Sequence, residues 1–150
     1  MKANMLDYLE ATAKRAPNRI AFYDDQESMT YATLRDRSRR IGSCLAAIAV
    51  PCTPVALLLD SRSIRNIPAI FGTIYAGCAY APLDIAMPPE RLKLLLELLQ
   101  PSAVLMDERG EKAFAACGQA GFPAVNYDTA VTAETDDARL AAIRSQASMY

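Results

Sequence analysis

Between residues 55 and 127, short apolar runs alternate with longer segments whose apolar residues recur at helical spacing. The apolar runs cover residues 55–59, 79–81, 103–106 and 124–127. The segments between them place apolar side chains three or four positions apart, which is typical of helices with one buried face. This alternation predicts a parallel, doubly wound α/β sheet flanked by helices. Ligands of such sheets bind outside the carboxyl ends of the strands.

The first 50 residues predict a short helix, a β-hairpin and a long helix. The short helix spans residues 4–15, and the β-like runs 20–23 and 29–31 form the hairpin. Thr30 is the predicted N-cap of the long helix. The long helix is expected to bury a stripe that consists of Leu34, Ile41, Leu45 and Ile48.

The apolar segment 67–83 predicts a buried helix followed by a buried strand. It is shorter than the ~20 residues that a membrane span requires, and proline and glycine interrupt it. Gly77 lies where the helix is expected to end, at a position that favours a left-handed backbone. Further along, the polar and acidic residues 128–137 predict a loop, and residues 137–143 predict a final helical turn or two.

Charge and composition exclude several classes of partner and chemistry. Sixteen basic and seventeen acidic residues give a formal net charge of -1, so nucleic acid is not an expected partner, because phosphate binding needs a basic excess. The chain has no histidine, which excludes histidine-based triads and metal sites. Its charged N-terminus does not have the pattern expected of a signal peptide, and no membrane association is expected. The 150 residues have the size of one domain, a single α/β unit over residues 1–150.

The cysteines point to a reducing compartment. Cys44, Cys52, Cys78 and Cys117 form no CxxC pair, so no zinc site is predicted. All four lie in apolar surroundings, where reduced thiols act as small hydrophobic side chains. We therefore expect four buried thiols and a cytoplasmic protein.

Two polar clusters have both a functional and a structural interpretation. Four arginines in the first half of the long helix can form a basic face for phosphate or an acidic partner, but Asp36 lies among them, so we favour a solvated outer face. Asp107 and Glu108 follow a strand, where metal-binding carboxylates often lie. They also precede a helix, whose N-terminus favours acidic side chains, and we favour this second interpretation.

No catalytic constellation is recognisable. The six glycines are dispersed and form neither GxGxxG nor GxxxxGK, and no serine lies in a GxSxG motif. No catalytic, nucleotide-binding or metal-binding residue is therefore predicted. The most informative segment is 75–84, which reads YAGCAYAPLD. Its two tyrosines and Asp84 can line a pocket, but their spacing favours packing of Tyr80 and capping of the next turn by Asp84.

This segment resembles the KAGxAYxPLD core motif of adenylate-forming enzymes, in particular the amino-acid-activating adenylation domains of nonribosomal peptide synthetases. Upstream, residues 29–34 are similar to the LTYxEL motif of that family. Residues 16–21, 89–92 and 102–106 resemble three further landmarks in family order, so the resemblance covers about residues 5–127. The residues that carry the core motifs are Thr30, Tyr31, Leu34, Gly77, Tyr80, Pro82 and Asp84.

Three positions depart from the family pattern. Thr33 stands where the family usually has glutamate, and that glutamate would complete a capping box with Thr30, so a weaker helix start is expected. Cys78 replaces a usual glycine or alanine, and Tyr75 replaces a common lysine. These departures blur the subfamily and leave the family resemblance intact.

The resemblance implies a parent enzyme that uses ATP and Mg²⁺ to adenylate a carboxylic acid, in particular an amino acid. Such an enzyme then transfers the acyl group to a phosphopantetheine thiol on a carrier protein. In the family, the phosphate-binding loop, the substrate pocket and the lysine of a C-terminal lid come later in the chain. The resemblance therefore implies an inactive scaffold from the large N-terminal domain, truncated before the phosphate-binding loop, with no cofactor of its own.

The implied partners are the remainder of the adenylation domain and the carrier protein. Core leucines and valines that are partly exposed are expected to favour self-association of the 150 residues. An acyl-CoA synthetase and a D-alanine–carrier protein ligase remain alternatives, because the substrate pocket is not in the sequence. A flavodoxin- or receiver-like binding domain is an alternative of another class. A receiver needs a lysine after a strand. None of the four lysines follows a predicted strand; they are Lys2, Lys14, Lys93 and Lys112.

Overall fold

The computed structural model describes residues 4–118 and 121–146, which form two sheets with helices around the larger one. The helices of these residues are α1 (Met5–Arg15), α2 (Tyr31–Ile48), α3 (Asn66–Tyr75), α4 (Pro89–Leu99), α5 (Glu108–Ala116), α6 (Tyr127–Ala130) and α7 (Asp137–Gln146). The strands are β1 (Ile20–Tyr23), β2 (Ser28–Thr30), β3 (Pro54–Leu58), β4 (Ala79–Pro82), β5 (Ala103–Met106) and β6 (Ala124–Asn126). None of the helices just named combines the length and the apolar character that a bilayer crossing needs.

The larger sheet is parallel and has the order β4-β3-β5-β6. Val55 pairs with Tyr80 on one side and with Ala103 on the other, so β3 is a central strand. The central strands β3 and β5 are almost entirely buried, as continuous apolar runs predict for strands covered on both faces. The predicted parallel α/β sheet flanked by helices is confirmed.

The sheet buries a different hydrophobic cluster on each face because successive side chains of a strand point to opposite sides. On one face, Val55 and Leu57 of β3 pack with α2 and α3. On the other face, Ala56 and Leu58 pack with α4 and with Met106 of β5. Because helices cover both faces of the sheet, the side chains of β3 are apolar on both of its faces.

The N-terminal helix and the hairpin form as predicted. The side chain of Asn4 accepts a hydrogen bond from the backbone N–H of Asp7, and the Asp7 carboxylate accepts one from the backbone N–H of Asn4, which is a complete capping box for α1. Strands β1 and β2 pair antiparallel. Thr30 caps α2 by accepting from the backbone N–H of Thr33 at 3.2 Å. Thr33 gives no reciprocal bond to the Thr30 backbone, as the missing glutamate predicts.

The C-terminus of α3 confirms the predicted role of Gly77, whose φ is 74°. The N–H of Gly77 donates to Ile74 at 2.9 Å, and the N–H of Cys78 donates to Thr73 at 3.1 Å, which together form a Schellman motif. This turn directs the chain from α3 into β4.

The strand β4 is not buried as predicted, because it is the edge strand of the sheet and pairs only with β3. Tyr80 is 44% exposed, so the expectation that it packs in the core is wrong. Asp84 does cap the next turn, since its Oδ1 accepts from the backbone N–H of Ala86 at 2.9 Å.

Other local expectations are wrong for identifiable reasons. Ile48 is exposed because α2 ends there, beyond the sheet that covers its earlier turns. Tyr127 begins the short helix α6 instead of ending β6, so part of the predicted loop 128–137 is helical. Cys52 is exposed in a turn after Pro51, where its φ is 65°, and Cys44 is only half-buried. The prediction of buried thiols holds for Cys78 and Cys117.

The arginines of α2 do not form a solvated face or a free basic surface. Arg35 and Arg39 both pair with Glu10 of α1, and Arg39 also pairs with Asp137 of α7. Tyr75 donates from its hydroxyl to Glu10 at 2.6 Å. Burial of Glu10 opposes its ionisation, but the hydrogen bonds from Tyr75 and Arg35 outweigh it and hold the pKa of Glu10 below its usual value. These charges hold α1, α3 and α7 against α2.

Candidate functional site

A crevice lies at the carboxyl ends of β3 and β5, where the chain order of the sheet reverses. After β3 the chain turns to α3 on one face, and after β5 it turns to α5 on the other, so the two loops diverge. This is the place where open α/β sheets bind ligands. The crevice has a volume of about 610 Å³, and the hairpin loop between β1 and β2 forms its third wall.

Asp24 holds the hairpin loop against the sheet. Its Oδ1 accepts from the backbone N–H groups of Gln26 and Glu27, both at 2.8 Å. Its Oδ2 accepts from the backbone N–H of Ile64, at 2.9 Å, in the loop after β3. These backbone donors, Ile64 foremost, lower the pKa of Asp24 because they stabilise its ionised form. The wall that the hairpin provides is therefore fixed by a carboxylate whose oxygens are already engaged.

Asp107 joins the ends of the two central strands and is only 6% exposed. Its Oδ1 accepts from the backbone N–H of Gly110 at 2.8 Å and thereby caps α5. Its Oδ2 accepts from the backbone N–H of Asp60 at 2.9 Å, directly after β3. The structural interpretation of Asp107 is correct, since both of its oxygens bind backbone groups. In the residues that the structure describes, no cluster of three or more candidate ligands could hold a metal ion.

Two of the three arginines that line the crevice are paired with acidic side chains. Arg109 donates to Asp60 Oδ2 at 2.7 Å. Hydrogen bonds from the Arg62 backbone and from Arg109 lower the pKa of Asp60. Arg65 lies 3.7 Å from Asp128 and stacks over the ring of Tyr127, 5.3 Å from its centroid. Arg65 and Arg109 are thus engaged before any ligand binds.

The crevice does not fit ATP, which the sequence resemblance implies for the parent enzyme together with Mg²⁺. Its lining carries six carboxylates and three arginines, so the surface is acidic and repels a triphosphate. Within the described part of the chain, no glycine lines it, so it lacks the backbone cradle that phosphate-binding loops provide. The residues present therefore support no adenylation step at this place.

The first three core-motif residues shape the junction between the hairpin and α2. Thr30 caps the helix, and the backbone N–H of Tyr31 donates to Arg19 at 3.0 Å. Leu34 is fully buried beneath α1 with Leu6 and Leu9. None of the three lines the crevice, as far as the described residues go.

The other four core-motif residues lie along β4 and its two ends. Gly77 turns the chain into the strand, Tyr80 is a partly exposed residue of it, and Pro82 is its last residue. Asp84 lies at the carboxyl end of β4, where it lines a second cavity together with Asp60 and Arg109. Of the seven, only Asp84 lines a cavity at the carboxyl edge of the sheet.

The assembly of the crevice is only partly evident from the sequence. The positions of Asp60 and Asp107 could have been found, because each follows a central parallel strand and such strands end at one edge. No local sequence pattern indicates the contribution of Asp24, because its hydrogen bond with the backbone of Ile64 joins residues 40 positions apart. Arg65 likewise meets Tyr127 only through tertiary packing.

Known relatives identify the family. The family described as AMP-binding enzyme matches residues 9–148 of this chain. Malpinin synthetase of Mortierella alpina is 28% identical to it over 141 residues, which cover 94% of this chain and 2% of that protein. The chain thus spans about one fiftieth of that relative's length.

Solved structures share the fold. The nonribosomal peptide synthetase FmoA3 is 30% identical, with a TM-score of 0.78, and the match covers 87% of this chain and 14% of that chain. Its AMPPNP-bound form matches at 28% identity with a TM-score of 0.75, over 85% of this chain and 14% of that chain. A benzoate CoA ligase from Burkholderia xenovorans LB400 has a TM-score of 0.78 at 20% identity, covers 91% of this chain and 30% of that chain, and supports the fold alone. With the family match over residues 9–148, this chain belongs to the AMP-binding enzymes, the adenylate-forming family.

Proposed function

We propose that residues 1–150 form one α/β scaffold unit of an adenylation domain that activates an amino acid. The parent enzyme would join the carboxylate to AMP from ATP with Mg²⁺, release pyrophosphate, and pass the acyl group to a phosphopantetheine thiol on a carrier protein. The observation that carries this proposal is the similarity to nonribosomal peptide synthetases along most of the chain. The proposal includes a cytoplasmic location, where thiols such as Cys78 and Cys117 stay reduced.

The scaffold part of the proposal is supported by the chemistry of the crevice. Asp107, Asp60 and Arg109, which lie at the ends of the two central strands, bind one another and the backbone. Groups engaged in this way hold loops in place and are not available to bind phosphate. Thr30, Tyr31, Leu34, Gly77, Tyr80, Pro82 and Asp84 accordingly serve the fold and its contacts, and we assign none of them to the reaction.

The substrate class is tested by pyrophosphate exchange with the protein encoded by the whole open reading frame in which this sequence lies. We expect exchange with at least one amino acid and little with benzoate or fatty acids of several chain lengths. The activated amino acid should then appear on a purified phosphopantetheinylated carrier protein, detected by its mass.

Two outcomes would contradict the proposal. Exchange with an aryl or fatty acid only, followed by transfer to free coenzyme A, would identify an acyl-CoA synthetase instead. Exchange restricted to D-alanine would keep the amino-acid part of the proposal and identify the enzyme as a D-alanine–carrier protein ligase. The absence of exchange with every acid would remove the adenylation proposal for this protein.

A further inference from the structure

The outer edge of β4 is unpaired within the part of the chain that the structure describes. Natural edge strands are usually protected by lysine, by a bulge or by a covering helix, because an exposed ladder pairs readily with another strand. Strand β4 reads Ala-Tyr-Ala-Pro and has no charged side chain. Its side chains are mostly exposed, which is unusual for such an apolar strand. This edge therefore has the properties of a strand that receives a partner.

The backbone of β4 offers pairing groups at one position in particular. The N–H groups of Ala79 and Leu83 donate to Thr53 and Leu57 of the β3 side, at 3.1 and 3.0 Å. Because backbone groups alternate in direction along a strand, the N–H and C=O of Tyr80 point away from β3. Pro82 also faces outward but has no N–H, so pairing as a donor ends there. An added strand would thus be held at Tyr80 and would not continue past Pro82.

An apolar band continues from this edge across the N-terminal part of the protein. A cavity of about 230 Å³ beside β4 is lined by Met5, Ile74 and Tyr80, among others. A second apolar cavity of about 240 Å³ lies between α1 and the hairpin, and Met5 and Phe22 line it. Met5 is common to both cavities, so the two form one surface. We call this surface, with the outer edge of β4, the β4 face.

The opposite edge of the sheet lacks these properties. Strand β6 has three residues and ends at Asn126, whose side chain caps α6 and donates to Glu111 at 2.8 Å. The chain turns there directly into α6, and no residue of β6 is among the large exposed hydrophobic side chains of the described chain. If one edge of this sheet receives a further strand, β4 is the better candidate.

We propose that the β4 face binds an extended, apolar segment of the same adenylate-forming polypeptide, which adds a strand at Tyr80 and covers Met5 and Phe22. This inference rests on the proposed function in taking the chain to be part of a larger enzyme. The solved nonribosomal peptide synthetase FmoA3 supports it, because this chain matches only 14% of that chain, so most of such an enzyme remains to pack against the unit. A segment of the same polypeptide is tethered to the unit, so one short strand pairing is enough to hold it in place. A second copy of the chain would have to bind through that short pairing without a tether.

Hydrogen exchange of single backbone amides tests this proposal. The amides would be followed by mass spectrometry with electron-transfer fragmentation in the 150-residue chain and in the product of the whole reading frame. We expect the Tyr80 amide to exchange rapidly in the 150-residue chain and to slow by roughly 100-fold or more in the longer protein. The Ala81 amide, which points towards β3, should be slow in both proteins and serves as the internal control.

Each other outcome would overturn the proposal. Slow exchange at Tyr80 in the 150-residue chain at low concentration would mean that its own residues cover the edge. Slowing that appears only at high concentration would identify a second copy as the partner. Slower exchange at Ala124 of β6 without slower exchange at Tyr80 would place the added strand beside β6 instead of β4. Equally rapid exchange of the Tyr80 amide in both proteins would exclude an added strand at β4.

A substitution separates docking from folding. Tyr80→Lys should change the melting temperature of the 150-residue chain by no more than about 2 °C, because the Tyr80 side chain is partly exposed in that chain. The same substitution should lower the melting temperature of the longer protein by clearly more than that. Tyr23→Lys is the matched control, since Tyr23 is 80% exposed on β1 and lies outside both cavities. An equal effect of both substitutions on the longer protein would contradict a specific β4 face. Neither readout depends on adenylation, so failure of the proposed activity is recognised separately.

Discussion

The substitution Gly110→Ala is expected to lower the free energy of unfolding of the 150-residue chain by about 4 kcal/mol, because no space exists for a side chain at this position. Gly110 lies in the first turn of α5, where the helix packs on the end of β3. A Cβ atom at this position would overlap the carbonyl oxygen of Leu58 and lie 2.8 Å from its carbonyl carbon and 3.0 Å from Cβ of Met106. The groups that it would meet are backbone atoms and a Cβ atom, which cannot rotate away.

Urea unfolding followed by circular dichroism measures the loss in the free energy of unfolding, and thermal unfolding measures the change in melting temperature. The melting temperature should fall by about 10 °C or more for a chain of this length. Gly121→Ala is the matched control, since no atom lies within 4 Å of a Cβ at that position. A change of less than about 1 kcal/mol for Gly110→Ala would show that α5 does not approach β3 as closely as the structure has it.

Removal of the Asp107 carboxylate is expected to have the second-largest effect, a loss of about 2–4 kcal/mol in Asp107→Ala. The cause is the loss of two acceptors at once. The backbone N–H groups of Gly110 and Asp60 would lose the oxygens that they bind at 2.8 and 2.9 Å. A buried donor without a partner costs more than the net gain of an ordinary hydrogen bond.

Asp107→Asn is the informative companion variant, because its side-chain amide keeps one acceptor oxygen and can serve only one of the two N–H groups. It should lose about half of the stability that Asp107→Ala loses, as measured by urea unfolding. Equal stability of both variants and the wild type would contradict the structural role of Asp107. A stability that rises on addition of Mg²⁺ in the wild type only would instead support the metal interpretation.

Element order and type were predictable because each element is encoded locally. The apolar runs at β3 and β5 and the leucine spacing of α4 require no knowledge of the rest of the chain. Local chemistry also predicted the cap at Thr30 and the left-handed turn at Gly77, because both depend on residues a few positions apart. The family resemblance rested on the same local segments.

Burial and partners were harder to predict because they depend on neighbours in the sheet. The apolar sequence of β4 suggested a buried strand, but the strand order places it at an edge. The arginines of α2 looked solvated because their partners, Glu10 and Asp137, are distant in sequence. The candidate crevice needs the hairpin loop at Asp24 beside the strand ends, an arrangement that no local pattern indicates.

The central claim is that this chain is a scaffold unit of an adenylate-forming enzyme and has no nucleotide site of its own. It is tested most directly by ATP–pyrophosphate exchange measured in parallel on the folded 150-residue chain and on the product of its whole reading frame, with the same mixture of acids. We predict exchange by the longer protein and none above the protein-free background by the 150 residues. Exchange by the 150 residues alone, or its absence in both proteins, would contradict the account.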